Sequence, residues 1–216
     1  MQVVQIDNIE RLQDPHPDLS GTEVLNLLNG GPRGMVSIAE FAPGGFHKLH
    51  RHFRATQISY LIAGEGEHLT EHGPVPVKAG GATLVGPHEW HGFRNNSASQ
   101  KAVLLSMYSP AATMPAAGYE TFASPIRTGL AQVPSRDLSG WDGQTLSNDQ
   151  CSLGTVTIQA GSSLELPPGD GFLYLVAGLG LVGSHALSSG QIVYLNSMAF
   201  TNNTQTPARV IFGHFG

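Results

Sequence analysis

Positive charge and cysteine are both scarce in this sequence. Lys and Arg number 11 among 216 residues, against 16 Asp and Glu, and charged residues make up only 12% of the chain. A formal net charge of -5 gives no electrostatic reason to bind nucleic acid or an anionic membrane, so neither is expected as a partner. The single cysteine, Cys151, excludes an intrachain disulfide and fits a reducing compartment.

Long apolar segments are also missing. The longest, residues 172–183, is too short to span a bilayer and is interrupted by glycines. The N-terminal segment MQVVQIDNIERLQ has no basic region followed by an apolar core, so no signal peptide is predicted. We expect a soluble, cytoplasmic protein.

Glycine and proline are abundant instead, with 27 and 14 residues. This composition suits many short strands joined by tight turns. Apolar strand patterns occur at residues 35–41, 56–63, 66–71, 75–77, 82–85 and 101–108. Together they predict an all-β fold built as a barrel or sandwich.

Three histidines are placed as metal ligands would be. His50 and His52 are two residues apart in a β-prone segment, so their side chains would share one face of a strand. His91 follows a later strand pattern, at 82–85. Imidazole is the commonest ligand of transition metals in proteins, so the three could form a facial triad.

The spacing around the first two histidines resembles the first motif of the cupin family. That motif runs Gly, five residues, His-x-His, three or four residues, Glu, six residues, Gly. Here Gly44, His50, His52 and Gly64 fit, and Gln57 stands where the family has Glu. The second motif also has a counterpart, since Gly80, His91 and Asn95 fit, whereas Gly86 and His88 replace a proline and a glycine.

The resemblance implies a small double-stranded β-helix, or jelly-roll, barrel with one metal in its mouth. His50, His52, His91 and the residue at Gln57 would be its ligands. The amide oxygen of Gln57 would either bind the metal or hydrogen-bond a ligand or a water molecule, and the sequence leaves both open.

The last third of the chain repeats the first. Segment 174–180, YLVAGLG, echoes 60–66, YLIAGEG; FTNNT at 200–204 echoes FRNNS at 93–97; and the strand after Gly190 echoes that after Gly81. Three matches in the same order indicate a duplicated unit. We therefore predict two cupin barrels in tandem, residues 1–112 and 113–216, with residues 109–123 as a linker or crossing segment.

The second copy lacks the ligands of the first. Leu164, Glu165 and Leu166 fall where the paired histidines belong, and Met198 holds the position of His91. The second barrel should therefore be metal-free and packed with apolar side chains. One divalent transition metal per chain is expected.

Several further residues are candidates for the mouth of the first barrel. His88 shares a loop with His91 and is the candidate acid/base catalyst. Pocket-lining candidates are Phe46, Ser59, Trp90 and Phe93, although aromatic residues of barrels usually belong to the core.

Three other histidines, His47, His68 and His72, are expected to lie away from the metal site. Strict strand alternation would turn His47 away from His50 and towards the surface. His68 and His72 lie in what is predicted to be a solvated hairpin.

The glutamine changes the expected chemistry. Three neutral imidazoles and an amide leave the full charge of a divalent metal, which should attract anionic, bidentate substrates such as enolates, 2-hydroxy acids or β-dicarbonyls. The His-Arg-His at residues 50–52 is similar to that of gentisate-type dioxygenases, which makes a non-haem iron(II) dioxygenase acting on a small phenolic or carbonyl acid the first choice. A zinc, nickel or manganese lyase, isomerase or cyclase, and a non-catalytic small-molecule-binding cupin, are the alternatives. A small molecule is the expected partner, and a homodimer remains open.

Overall fold

The computed structural model describes residues 2–5, 19–25, 33–111, 113–122, 133–196 and 199–216. Almost all regular structure in these residues is β-strand, which confirms the all-β prediction. The helix described, α1 (Met114–Ala117), has four residues. No helix in the described ranges is long and apolar enough to cross a membrane.

The described residues form twenty strands. The first ten are β1 (Gln2–Gln5), β2 (Leu19–Leu25), β3 (Met35–Arg51), β4 (Thr56–Ala63), β5 (Glu65–Thr70), β6 (Gly73–Lys78), β7 (Gly81–Val85), β8 (His91–Arg94), β9 (Ala102–Ser109) and β10 (Glu120–Thr121). The others are β11 (Ser135–Asp137), β12 (Asp142–Ser147), β13 (Cys151–Ile158), β14 (Ser163–Glu165), β15 (Asp170–Ala177), β16 (Leu179–Val182), β17 (His185–Ser188), β18 (Gln191–Asn196), β19 (Ala199–Thr201) and β20 (Ala208–Phe215). The expected strand at 56–63 coincides with β4, and the other predicted strands lie within longer or slightly shifted ones.

The first compact unit comprises Glu10–Asp137. Its main sheet has the order β11-β7-β4-β9-β3-β8-β5-β6, with β2 and β10 also paired to β3. The 17-residue strand β3 pairs with β9 along its first part and with β8 along its last, so it joins two sets of strands. Contacts between Gln57 on β4 and His91 on β8, and between Thr83 on β7 and His68 on β5, connect the two sets across an interior.

The second compact unit comprises Met1–Ile9 with Leu138–Gly216. It contains a sheet of order β1-β18-β15-β20-β13-β12 and another of order β14-β19-β16-β17. The order β18-β15-β20-β13 repeats β7-β4-β9-β3 of the first unit, and β14-β19-β16-β17 repeats β3-β8-β5-β6. The same strand order therefore occurs twice in the chain.

The division between the units differs from the predicted boundary at residues 112 and 113. Strands β10 and β11 hydrogen-bond to β3 and β7 and so extend the first unit to Asp137. Strand β1 pairs with β18 and so belongs to the second unit. Strand pairing over long sequence separations decides the boundary, and composition alone did not reveal it.

The same local hydrogen bonds occur within each of the two units. Asn95 and Asn202 are both fully buried; each donates its side-chain amide to backbone carbonyls and accepts the N–H two residues later, from Ser97 and Thr204. The repeated Asn-Asn of the sequence thus has one structural function in both places. It fixes the loop that follows β8 and β19.

One predicted match needs a shift of one residue. Gly80 and Gly190 both have positive φ, of 94° and 84°. Their N–H groups donate to Leu61 and Leu175, each at 2.8 Å. Gly190 therefore corresponds to Gly80 and not to Gly81, because the turn geometry requires glycine at that position.

The interior of the second unit is apolar. Its buried cluster consists of Ile158, Leu173, Leu175, Val182, Leu187, Val193, Leu195, Phe200, Ala208 and Val210. Leu164 and Leu166 pack against this cluster, as expected from their place in the repeat. Met198 lies outside the described residues, so its predicted match to His91 stays a prediction.

Candidate metal centre

Strand β3 and the start of β8 bring the three predicted histidines together. His50 lies on β3, His52 follows it directly, and His91 opens β8 opposite His50. All three are at most 2% exposed. One ring nitrogen from each lies within 4.8 Å of the others, and this is the one such group of His, Cys, Asp or Glu in the described parts of the chain.

Backbone carbonyls fix which ring nitrogen of each histidine is protonated. Each Nδ1 donates to a carbonyl oxygen at 2.9–3.0 Å, from His50 to Lys48, from His52 to Gly118 and from His91 to Glu89. The neutral rings therefore carry their lone pairs on Nε2. Nε2 of His52 is buried without a hydrogen-bond partner, as expected of an atom prepared for a metal.

The surroundings keep these rings neutral. Burial lowers the pKa of His50 well below its ordinary value, and the positive charges of nearby His47 and His52 would lower it further. Burial, and then His50 and His52, lower the pKa of His91 in the same way. Burial also lowers the pKa of His52. Neutral imidazole is the form that binds metals, so the environment favours the ligand state.

The amide of Gln57 has its oxygen towards the histidines. Its Oε1 lies 2.7 Å from Nε2 of His91. Its nitrogen donates to Ser59 Oγ at 2.9 Å and to Ser106 Oγ at 3.3 Å. Because His91 has its proton on Nδ1, the 2.7 Å contact joins two acceptors. A cation bound by both would remove this repulsion, and three imidazoles with one amide oxygen suit a divalent transition metal.

Two side chains missed by the sequence analysis lie beside the histidines. The ring of His47 stacks on that of His50, with centroids 3.9 Å apart, and its Nε2 is 3.1 Å from the hydroxyl of Tyr119. The Tyr119 ring lies 5.0 Å from His50. The surface position expected for His47 is wrong because the pairing of β3 with β8 shifts between His47 and His50, which breaks the strand alternation.

Residues 113–122 also belong to the site rather than to a linker. Strand β10 pairs with His50 and Arg51 at the end of β3. The carbonyl of Ala117 accepts the N–H groups of residues 53 and 54 at 3.0 Å, and that of Gly118 orients His52. Of the two readings given for residues 109–123, a linker or a crossing segment, these contacts favour the crossing segment. The lone Tyr119 in this stretch was the one signal in the sequence.

His88, the predicted catalyst, is exposed in the structure. Its backbone N–H donates to the carbonyl of His52 at 2.7 Å, and its φ is 69°. Its ring lies 5.6 Å from that of Phe53. His88 thus has a backbone role in holding His52, and its catalytic role remains a prediction.

The predicted pocket residues are dispersed. Trp90 packs on Phe122 at 4.7 Å and lies under the Arg51 guanidinium at 4.5 Å. Phe93 packs on Phe41 at 4.7 Å within an apolar cluster, and Phe46 is half-buried on β3. Ser59 is buried and holds Gln57. Of the four, the structure brings Ser59 into direct contact with a candidate ligand.

His68 is buried, contrary to the prediction of a solvated hairpin, whereas His72 is exposed. The Nδ1 of His68 lies 3.1 Å from Thr83 Oγ1, and the Nε2 of His68 has no hydrogen-bond partner. Its ring is nearly parallel to that of His91, with centroids 6.3 Å apart. Burial lowers the pKa of His68 to about 4. The inward face of β5 therefore adds a fourth interior histidine.

Comparison with known proteins identifies the fold. Residues 37–108 match the family model described as the cupin domain. The protein Ylba from E. coli is similar in structure, with a TM-score of 0.74, 11% identity and coverage of 99% of this chain and 90% of that one. Oxalate decarboxylase from Bacillus subtilis follows with a TM-score of 0.70, 12% identity and coverage of 99% and 77%.

A third similar structure is AerE from Microcystis aeruginosa, with a TM-score of 0.65, 15% identity and coverage of 96% of both chains. No curated protein matches in sequence. At these identities the structures establish the fold alone. The fold is therefore all-β and of the cupin jelly-roll type, as the sequence motifs predicted.

Proposed function

Because residues 37–108 match the cupin domain model, we propose that this protein is a metal-dependent enzyme acting on a small carbonyl acid, hydroxy acid or phenol. The observation that carries the proposal is the convergence of three buried imidazoles whose Nδ1 protons are all donated to backbone carbonyls. Such a set leaves the three Nε2 lone pairs available to a metal, in rings whose ligand atoms lie within 4.8 Å of one another. His50, His52 and His91 would hold one divalent metal, with the Oε1 of Gln57 as a fourth donor.

The charge of the site supports an anionic substrate. No carboxylate belongs to the ligand group found among the described residues, and Gln57 is neutral. A bound divalent metal would act there as a Lewis acid or, in the case of iron, as a centre for oxygen chemistry. The chain's own contribution is to hold four buried neutral donors together, so that an anion would be attracted to the metal.

An iron(II) dioxygenase is the first candidate chemistry. A three-histidine site with neutral donors leaves positions for a bidentate acid. The alternative is a zinc, nickel or manganese enzyme without redox chemistry, such as a lyase, isomerase or cyclase. This alternative stays because the same histidine set accepts several metals.

Tyr119 and His47 are better placed than His88 to exchange a proton with a bound substrate. They hydrogen-bond each other, and both rings stack beside His50. The His88 side chain is exposed, and its ring lies beside that of Phe53. We therefore move the proposed acid/base role from His88 to this pair.

We also propose that the chain is a bicupin, a tandem of an active and an inactive barrel. The repeated strand order and the equivalent buried asparagines support it. The apolar interior of the second unit supports its lack of a metal.

Metal analysis of the purified protein tests the proposal. Protein purified without added metal should contain close to one transition metal per chain, and His50→Ala with His52→Ala should contain none. His185→Ala, an exposed histidine of the second unit, is the control. Oxygen uptake with a panel of catechols, 2-oxo acids and β-dicarbonyls then separates the two chemistries. Retention of metal by the double variant, or two metals per chain, would contradict the assignment.

A metal-loaded protein that converts no member of the panel, with or without oxygen consumption, would favour a binding protein over an enzyme.

A further inference from the structure

A layer of buried hydroxyl groups lies directly below the candidate metal centre. Ser37, Ser59, Thr83 and Ser106 come from β3, β4, β7 and β9 and are paired in one register across these strands. Each is between 4% and 6% exposed. Ser59 and Ser106 are 3.1 Å apart, and both accept from Gln57. We call these four residues the hydroxyl layer.

His68 belongs to the same level of the barrel. On β5 it is two residues from Thr70, which pairs with His91, just as Ser59 is two residues from Gln57 on β4. Its Nδ1 reaches the hydroxyl layer at Thr83, 3.1 Å away. An apolar cluster of Phe41, Leu61, Phe93, Ala102 and Leu104 adjoins this level, since Phe93 pairs with His68.

The second unit has apolar residues at every equivalent position. Pairing in the same register places Gly154, Leu173, Val193 and Phe212 where the first unit has Ser37, Ser59, Thr83 and Ser106. Val182 pairs with Phe200 as His68 pairs with Phe93. This fold therefore does not require polar side chains at that level. Their presence in the unit that contains the histidine triad calls for a functional reason.

One polar atom of His68, beside the hydroxyl layer, lacks a hydrogen-bond partner. Nε2 of His68 is buried and has no hydrogen-bond partner. Burying such an atom costs about 1–3 kcal/mol unless a water molecule or a ligand pairs with it. Thr83 can either donate to Nδ1 or accept from it, so Nε2 is a donor in one case and an acceptor in the other. A ligand hydroxyl is the group that satisfies both cases.

We propose that His68, positioned by Thr83, binds a hydroxyl group of the small acid whose other end is held at the metal. The inference rests on the proposed function, because the metal centre provides the first point of attachment. It narrows the substrate class to small acids that carry an additional hydroxyl group. The rings of His68 and His91 are nearly parallel, with centroids 6.3 Å apart, so His68 lies near enough to a metal held by His91 for one small acid to contact both.

The test uses two ligands of the same shape. 3-Hydroxypyruvate and 2-oxobutyrate share the 2-oxo acid group that chelates metals, and they differ in a terminal hydroxyl against a methyl group. Both are titrated into cobalt(II)-loaded protein, and binding is followed in the visible spectrum of the metal. The wild-type protein should bind hydroxypyruvate about tenfold more tightly, since the methyl group would leave the buried imidazole unpaired.

His68→Val introduces the residue that the second unit uses at this level, and it should reduce the preference to about one. Thr83→Val, which also copies the second unit, removes the partner that orients His68 and should reduce the preference as well. It keeps the test open if His68→Val does not fold. His72→Val, at an exposed histidine of the same hairpin, should retain the wild-type preference.

The outcomes separate this inference from the proposed function. If cobalt does not bind to the wild-type protein, both fail. If cobalt binds but neither acid does, or if the preference is near one in the wild type or unchanged in both valine variants, the metal centre stands and the role of His68 is overturned.

Discussion

The side-chain oxygen of Gln57 lies 2.7 Å from Nε2 of His91, with both atoms placed as acceptors. Gln57 stands where the cupin motif has glutamate, whose side chain has nearly the same shape but carries a negative charge. A carboxylate there would tighten the metal site, whereas the amide leaves the metal its full charge. Glutamine and glutamate differ at one position of the side chain, where the amide has NH2 and the carboxylate has a second oxygen.

Gln57→Glu should therefore bind metal more tightly and anionic ligands more weakly. A carboxylate a few ångströms from a divalent ion attracts it by several kcal/mol at an effective dielectric near 20. We expect at least a tenfold gain in metal affinity, measured by competition with a chelator, and a parallel loss of affinity for 2-oxo acids. Gln159→Glu, at an exposed position, controls for the change in net charge. Equal metal affinity in Gln57→Glu and wild type would mean that the side chain does not face the metal.

Removing the two hydroxyls that hold the amide should weaken the metal site without altering its ligands. Ser59 and Ser106 both accept from the Gln57 nitrogen. Each substitution to alanine removes a hydrogen bond worth about 1 kcal/mol, which corresponds to roughly fivefold in cobalt affinity. The double variant should also change the visible spectrum of bound cobalt, because the amide oxygen is no longer oriented. Ser99→Ala, at an exposed position, is the control. An unchanged spectrum in the double variant would contradict this positioning role.

The metal-free protein should lose stability as the pH falls below the pKa of an ordinary histidine. Burial lowers the pKa of His68 from 6.5 to about 4, so between these values the unfolded chain binds a proton that the folded chain does not. The free energy of unfolding then decreases with falling pH across this window, by on the order of 3 kcal/mol from His68 alone. Lowered pKa values of His50 and His91 act in the same direction.

Urea unfolding of chelator-treated protein at several pH values between 7 and 4 measures this dependence. His68→Val should have a flatter profile than wild type, whereas His72→Val should follow the wild type. Parallel profiles for wild type and His68→Val would show that His68 binds a proton as readily in the folded chain as in the unfolded one.

The paired asparagines provide a test of the repeat that is independent of the metal. Asn95 and Asn202 each donate to two or more carbonyls from a fully buried position. Replacing either with alanine should cost about 3 kcal/mol, since several buried carbonyls lose their donor. Thermal unfolding should therefore show similar losses for Asn95→Ala and Asn202→Ala, with Asn203→Ala, an exposed neighbour, as the control. A large loss at only one of the two positions would mean that the loops are not equivalent.

Fixed spacing made much of this molecule predictable from sequence. Short motifs predict the three histidines, and the two-residue interval of a strand predicts that His50 and His52 share a face. Matching segments in the same order predict the duplicated strand pattern. The position of His47 did not follow, because a bulge in β3 breaks that interval. Tyr119 and Gly118 could not be foreseen either, since they reach His50 and His52 from a part of the chain about 66 residues away. Long-range pairing of this kind leaves no periodic signal.

The hydrogen bond from His52 to the Gly118 carbonyl, at 2.9 Å, predicts that metal binding stabilises the position of residues 113–122. If this segment opens, His52 loses the partner that fixes its tautomer, so the closed and open forms should differ in metal affinity. By thermodynamic linkage, metal must then favour the closed form to the same extent. Backbone amides of Phe53 and Arg54, which donate to Ala117, should exchange with deuterium more slowly in the metal-loaded protein. The carbonyl of Gly118 would thus couple the position of this segment to the affinity for the metal.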